Sequence, residues 1–241
     1  MSWTPETYGQ RWIGIYDRMG WPDPAPATAF LAERAGTGPV LELAIGTGRV
    51  ALPLAATGIQ VHGLDASTEM IEAMRRKPGG ADVPVTVADL ADFRLDGRYT
   101  MIYLVLHGLF WLQSQDDQVA CFRRAAEHLH RGGLFITETF VPDPSRFQSH
   151  GTMQVHDAGA SHVWIEAGTH DRARQQVMEN HIMIRESGIK LYPSSMRYAW
   201  PAELDLMARL AGMENVGRYG DWTGQSFSKW SDDHIGVYRK L

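Results

Sequence analysis

The order of elements in this 241-residue chain predicts an α/β fold, a largely parallel sheet covered by helices on both faces. Three observations carry it. Short apolar runs at 40–43, 61–64, 83–87, 99–106 and 134–140 read as buried strands. Segments of helical spacing lie between them. Residues with chemistry to offer recur at the strands' carboxyl ends: Ala44 to Gly48, Asp65, Asp89 and His107. Ligands of such sheets bind there.

Residues 5–19 place Tyr8, Trp12, Ile15, Tyr16 and Met19 near a helical period, and the proline-rich run 21–26 breaks that element. A helix over 26–35 follows, ended by Gly36-Thr37-Gly38-Pro39. After the first strand a helix spans 49–56 and stops near Gly58. The next spans 67–77, with Ser67 as N-cap and Pro78-Gly79-Gly80 as its end. Residues 89–93 form a loop, and His107-Gly108 marks the exit of the fourth strand. A helix over 116–130 stops at Gly132-Gly133.

Beyond residue 145 the pattern changes. Residues 163–167, 176–184 and 190–200 read as strands or extended segments. They predict an antiparallel cap insertion, about 145–200, over the ligand site. A helix over 201–211 begins at proline and ends at Gly212. Residues 214–219 and 234–238 read as two final strands, antiparallel at the sheet edge. The expected organisation is one domain, 1–241. It has an N-terminal helical lid over 1–36, a binding core over 38–140, the cap, and a C-terminal helix and strand pair over 201–241.

Composition narrows the function class. Hydrophobic residues make up 44% and charged residues 21%, ordinary values for a globular enzyme. Net charge is −5 with no basic block, so nucleic acid is not the expected partner. Cys121 stands alone, which excludes an intrachain disulfide and a cysteine zinc cluster, and it reads as a core filler. No secretory pattern opens the chain, and no apolar stretch nears the roughly 20 residues needed to cross a bilayer. A cytoplasmic location without membrane attachment is expected. Trp3, Trp12, Trp21, Trp164, Trp200, Trp222 and Trp230 are candidates to wall a pocket or cover the core. No set of three ligands has recognisable metal spacing, so no metal is expected.

The most telling run is Val40-Leu41-Glu42-Leu43-Ala44-Ile45-Gly46-Thr47-Gly48-Arg49, a buried strand entering a small-residue turn before a helix. Asp65 stands at the end of the next strand. The third glycine of a pyrophosphate-binding turn is missing, because Ala51 stands there. A nucleoside site without phosphates is the better reading.

Four matches make the chain resemble the class I methyltransferases that use S-adenosylmethionine. They are the run 41–49, then Gly63-Leu64-Asp65-Ala66-Ser67 with Met70, then Ala88-Asp89-Leu90, then His130-Arg131-Gly132-Gly133 before a strand. The resemblance covers about residues 38–140. Gly212-Met213-Glu214-Asn215-Val216 resembles the usual entry to the sixth strand, and Tyr8 and Tyr16-Asp17 resemble the bacterial amine and sugar N-methyltransferases. The resemblance implies a Rossmann-like mixed sheet of seven strands and S-adenosylmethionine as cofactor. Position 44, often glycine in the family, is alanine here, and position 45, often cysteine, is isoleucine.

The resemblance also implies roles. Glu42 organises the turn or faces the methionine amino group; the alternative is a backbone clamp. Ala44, Gly46 and Gly48 bring backbone close to the methionine and ribose. Asp65, followed by Ala66, accepts from two ribose hydroxyls; the alternative is a helix-capping acid. Met70 packs on adenine or fills a helix core. Asp89 accepts from the adenine amine while Leu90 N–H donates to the ring, or Asp89 is a turn acid. Arg49 neutralises the cofactor carboxylate or is solvated. His107 touches the methionine end, positions the acceptor, or acts as base, with a structural histidine as the alternative.

The expected reaction is methyl transfer to a nitrogen or oxygen of a small-molecule acceptor. Tyr8, Tyr16, Tyr192, Arg197, Tyr198 and Trp200 are the candidate acceptor residues, and Tyr16 and His107 the candidate catalytic pair. Arg197 pairs with an acceptor carboxylate or forms a structural salt bridge. The rivals are a protein methyltransferase, a non-catalytic S-adenosylmethionine-binding regulator, and a dehydrogenase. A homodimer is compatible with this organisation.

Overall fold

The computed structural model describes residues 5–143 and 151–241, with side chains from Tyr8 onward. Trp3 lies outside the described residues. The elements in chain order are α1 (Pro5–Trp12), α2 (Ala25–Ala32), β1 (Val40–Leu43), α3 (Ala51–Ala56), β2 (Val61–Asp65), α4 (Thr68–Arg75), β3 (Val85–Val87), β4 (Tyr99–Leu104), α5 (Gln115–His128) and β5 (Leu129–Phe140). Then come β6 (Thr152–Ala158), β7 (His162–Asp171), β8 (Gln176–Arg185), β9 (Gly188–Arg197), α6 (Pro201–Leu210), β10 (Met213–Tyr219) and β11 (Asp233–Lys240).

Seven strands form the main sheet in the order β10-β11-β5-β4-β1-β2-β3. β1 to β5 pair in parallel, while β11 runs antiparallel to both β5 and β10. The Rossmann-like mixed sheet is therefore as expected. The chain order reverses between β1 and β4, and the crevice at such a switch point is where these sheets bind ligands. β1 is buried along its whole length. Successive strand side chains point to opposite faces. Leu41 and Leu43 pack under α5 and α6 with Phe122, Ala125 and Leu204. Val40 packs under α2 and α3 with Phe30, Leu31 and Leu54. Cys121 is fully buried in the first of these cores.

Local chemistry starts the helices. Ser67 caps α4 by accepting from Met70 N–H at 3.2 Å, and Ser114 caps α5 by accepting from Asp117 N–H at 3.0 Å. α6 begins at a proline, whose missing N–H costs nothing in a first turn.

Several boundaries differ from expectation. The helix expected over 5–19 ends at Trp12, and a 3-10 turn over Tyr16–Arg18 follows. β4 ends at Leu104 rather than 106, because Leu106 and His107 turn left-handed into a 3-10 turn over Gly108–Trp111. Gly132 and Gly133 do not stop a helix. α5 ends at His128, and the glycines form an irregularity inside β5, between the Tyr99–Leu129 and Met101–Leu134 pairs. β6 was not expected; all seven of its residues are exposed, and Met153 and Val155 are its only large apolar residues.

β6 to β9 form a separate antiparallel sheet in sequential order, the cap. Val155, Ile165, Ile182 and Leu191 pair across its four strands on one face. Val155 and Leu191 in that row are more than half exposed. On the other face Trp164 and Tyr192 join Trp12 and Met70 in a third apolar cluster, which ties cap, lid helix and α4 together.

Candidate active site

The carboxyl ends of β1, β2 and β4 open into a cavity of about 840 Å³, roofed by the lid and the cap. That size suits a nucleoside plus an acceptor.

One end is built from backbone. The chain leaves β1 through Ala44 and Gly46, both left-handed, at φ 52° and 56°. Gly46 N–H donates to Asp65 Oδ2 at 2.7 Å, and Ser67 N–H donates to Asp65 Oδ1 at 2.8 Å. Asp65 thus joins the two strand-end turns while lining the cavity. The carboxylate offers about four acceptor positions, so capacity remains for a further donor. Burial pushes its carboxyl upward, opposed by the N–H groups of Ser67, Gly46 and Ala66. A Cβ at Gly46 meets nothing nearer than Ala44 O at 3.9 Å and Tyr16 Oη at 4.0 Å, so the missing side chain leaves an open cradle. Ala66, Met70, Asp89 and Leu90 complete this end. Asp89 Oδ1 accepts from Ala91 N–H at 2.7 Å, a turn contact that leaves its other oxygen available.

Three expected cofactor residues lie off the cavity wall. Gly48, at φ 78°, makes room for packing, since a Cβ there meets Met74 Cγ at 2.6 Å and Leu52 Cγ at 2.8 Å. Glu42 is buried and accepts from Tyr103 Oη at 3.0 Å and from the Ala51 N–H at the start of α3. That is the clamp geometry. Burial pushes Glu42 up to about 8, with the Tyr103 hydrogen bond and Arg49 opposing. Arg49 donates to Pro22 O at 2.8 Å and holds the lid.

The lid is latched to the glycine turn. Thr47 Oγ1 donates to Asp17 Oδ1 at 2.6 Å, and Lys77 Nζ reaches Asp17 and Thr47 O at 2.9 Å each. Tyr16 O accepts from Trp21 Nε1 at 2.6 Å. This latch brings Tyr16 into the cavity between the two ends.

The other end is built from side chains of three distant segments. Tyr8 lies 4.3 Å from the Trp111 ring and 6.2 Å, edge-on, from Tyr16. Trp12 donates Nε1–H to Pro193 O at 3.1 Å, pinning α1 to the cap. From the cap, Trp164, Glu179, Ser194 and Met196 face inward. Burial raises the phenols of both Tyr8 and Tyr16; a neighbouring Tyr16 adds to this for Tyr8, while Arg49 opposes it for Tyr16. His107 lines the wall in a left-handed conformation, φ 58°, directly after left-handed Leu106. Such residues cost about 1–3 kcal/mol each and cluster at functional sites. Glu138 holds this bend by accepting from Leu106 N–H and from Trp222 Nε1. His107 Nδ1 is buried without a hydrogen-bond partner, its ring edge-on to Phe140.

Four expected acceptor residues are not on the wall. Tyr192 lies behind Trp12 and Trp164, with ring centroids 5.4 and 5.8 Å away. Arg197 follows Met196 in β9, and strand alternation turns it to the opposite face. There it pairs with Glu203 at 2.7 Å and donates to Gln118 Oε1 at 2.6 Å, the structural salt bridge. Tyr198 Oη sits 2.9 Å from His170 Nε2, and Trp200 is the 40% exposed N-cap of α6. Of the named tryptophans, Trp12, Trp21 and Trp164 do line the cavity. Trp111, Met183, Met196 and Glu179 were missed. Inward alternation in the cap strands was the available signal, but the face it served was set by packing.

A methyltransferase-domain family model matches residues 40–133. The CcbJ methyltransferase from Streptomyces caelestis is 37% identical, with a TM-score of 0.93 covering 99% of this chain and 100% of that one. The cypemycin N-terminal methyltransferase of Streptomyces sp is 28% identical over 204 residues, 83% of this chain and 82% of the relative. The sugar N-methyltransferase KedS8 from Streptoalloteichus sp ATCC 53650 shares the fold at 19% identity, TM-score 0.71, over 100% of this chain and 97% of its own. These relatives set aside the dehydrogenase reading. The strand-end turn, its acid and the matched family agree: the chain belongs to the class I S-adenosylmethionine-dependent methyltransferases.

Proposed function

We propose that this enzyme transfers a methyl group to a nitrogen or oxygen of a small-molecule acceptor. The observation that carries the reading is the aromatic end of the cavity, where Tyr8, Trp12, Trp111 and Trp164 converge beneath lid and cap. Such an enclosure suits a compact molecule rather than an extended chain. A peptide N-terminus is the second reading, favoured by the likeness to the cypemycin N-terminal methyltransferase.

S-adenosylmethionine, when bound, supplies a methyl group activated by its sulfonium. The chain's task is alignment and exclusion of water. Asp65 would accept from the ribose hydroxyls. Asp89 and the Leu90 N–H would read the adenine edge, and Met70 would pack against the base. Ala44 and the Gly46 cradle would hold the methionine part. Tyr8 and Tyr16 keep their protons because burial raises both phenols, so they orient the acceptor by hydrogen bonding and are not bases. His107, which lines the wall between the two ends, is the candidate to take the acceptor's proton.

Turnover of amines, amino sugars, phenols and short peptides, followed by mass detection of the added methyl, tests the acceptor class. Methylation confined to peptides sinks the small-molecule reading, and binding without turnover on any acceptor favours the regulator. His107→Gln is expected to slow single-turnover transfer by about 10²-fold or more at neutral pH; unchanged transfer at every pH rejects it as base.

No helix among the described residues is long and apolar enough to cross a membrane. A cytoplasmic location and the absence of a nucleic-acid partner stay part of this proposal. So does a homodimer, which would bury the apolar outer row of the cap; sedimentation equilibrium measures it.

A further inference from the structure

On the inward face of the cap, three strands bring together His156, Glu166 and His181, whose ligand atoms all lie within 4.8 Å of one another. Glu166 on β7 and His181 on β8 are direct cross-strand partners. His156 has no partner, because the β6–β7 register shifts between Val155 and Asp157. A bulge of this kind re-aims one side chain, and here it brings the imidazole to Glu166.

The spacing is that of ligands around an ion. Glu166 Oε2 lies 3.0 Å from His156 Nε2 and 3.7 Å from His181 Nδ1. Metal–ligand distances near 2.0–2.2 Å in a tetrahedron separate neighbouring ligand atoms by about 3.4 Å. The two measured edges bracket that value. The longer one is too long for a hydrogen bond, and His181 Nδ1 is buried without a hydrogen-bond partner. Trp12 and Trp164 pack on the His181 ring, with centroids 5.0 and 5.9 Å away, and hold that nitrogen toward the carboxylate. His156 and His181 also line the cavity.

We propose that His156, Glu166 and His181 form a binding site for a divalent transition-metal ion of the zinc type, its fourth position open to the cavity. Two imidazoles and one carboxylate are a borderline donor set, suited to zinc, cobalt or nickel rather than to calcium or magnesium. Three protein ligands with one open position are the pattern of sites that hold water or a small ligand. The ion ties β6, an otherwise fully exposed strand, to β7 and β8.

The test is titration of the metal-free full-length enzyme with zinc chloride by calorimetry, and with cobalt(II) by visible absorption. One ion per chain and a four-coordinate cobalt spectrum are expected. Glu166→Gln should weaken zinc binding by more than about tenfold, the least that loss of an outer contact costs a metal site. His156→Asn lies on the exposed bulge and should do the same; it keeps the test decisive if Glu166→Gln does not fold, which circular dichroism of the metal-free variants shows. Added imidazole should change the cobalt spectrum. No zinc binding by the wild type, or binding unaltered in the folded variants, overturns the site; a spectrum indifferent to imidazole overturns the open position.

Discussion

The two ends of the cavity are made differently. The cofactor end is local: Gly46, Asp65 and Ser67 are joined by main-chain N–H groups and one carboxylate, at the tips of adjacent parallel strands. The proposed acceptor end is assembled from Tyr8 and Trp12 on the lid, Trp111 on a 3-10 turn and Trp164 on the cap. Backbone turns fix one geometry and tolerate little change. Aromatic side chains brought from distant segments fix a shape that can be retuned without disturbing the cofactor. One scaffold can thus keep its methyl donor while its acceptor varies.

Asp65→Asn breaks the local end most severely. The amide offers one acceptor where two N–H groups need one each. A charged hydrogen bond contributes about 1.5–3 kcal/mol, so S-adenosylmethionine affinity should fall about 10- to 100-fold, read by calorimetry. A change below twofold would mean that Asp65 only shapes the turn. Trp164→Ala tests the other end. Acceptor KM should rise about fivefold, from roughly 1 kcal/mol of aromatic contact, while cofactor affinity stays within about twofold. Equal loss of both affinities would erase the distinction between the ends.

Glu42→Gln sharpens the contrast through pH. The folded chain holds the Glu42 proton up to about 8, whereas its ordinary value is 4.5. The unfolded chain therefore loses that proton first, and this group's contribution to stability declines as pH rises from about 4.5 to 8. Melting curves across that window should be flatter for the variant; identical slopes would remove Glu42 as their source. Asp17→Asn is the mildest change. Its ion pair with Lys77 is half exposed and contributes about 0–1 kcal/mol. Cofactor dissociation should quicken by up to about fivefold in stopped flow, and an unchanged rate would show that the lid closes without its latch.

The cofactor end was legible because its parts follow one another in sequence. Gly46, Asp65 and Asp89 each stand just after an apolar run, and a parallel sheet places the ends of such runs side by side. Even there, Glu42, Gly48 and Arg49 carry the same motif yet lie off the wall, since strand alternation and helix packing claimed them. At the other end, Tyr8 and Tyr16 do line the cavity, but Arg197 points to the opposite face of β9 and Tyr198, one residue beyond that strand, is bonded to His170. A chain of alternating residues tells which share a face, not which face meets the cavity.

By itself, the sequence determined the α/β order, the donor turn with Asp65, and the family's chemistry, because these depend on periodicity and short-range turns. Only the tertiary structure decided which aromatics line the cavity, where the lid latches, and that His156, Glu166 and His181 meet. Those three are separated by spacings that form no ligand motif, and they converge through strand register and a single bulge. Register is set by pairing between strands, and no stretch of sequence read alone contains it.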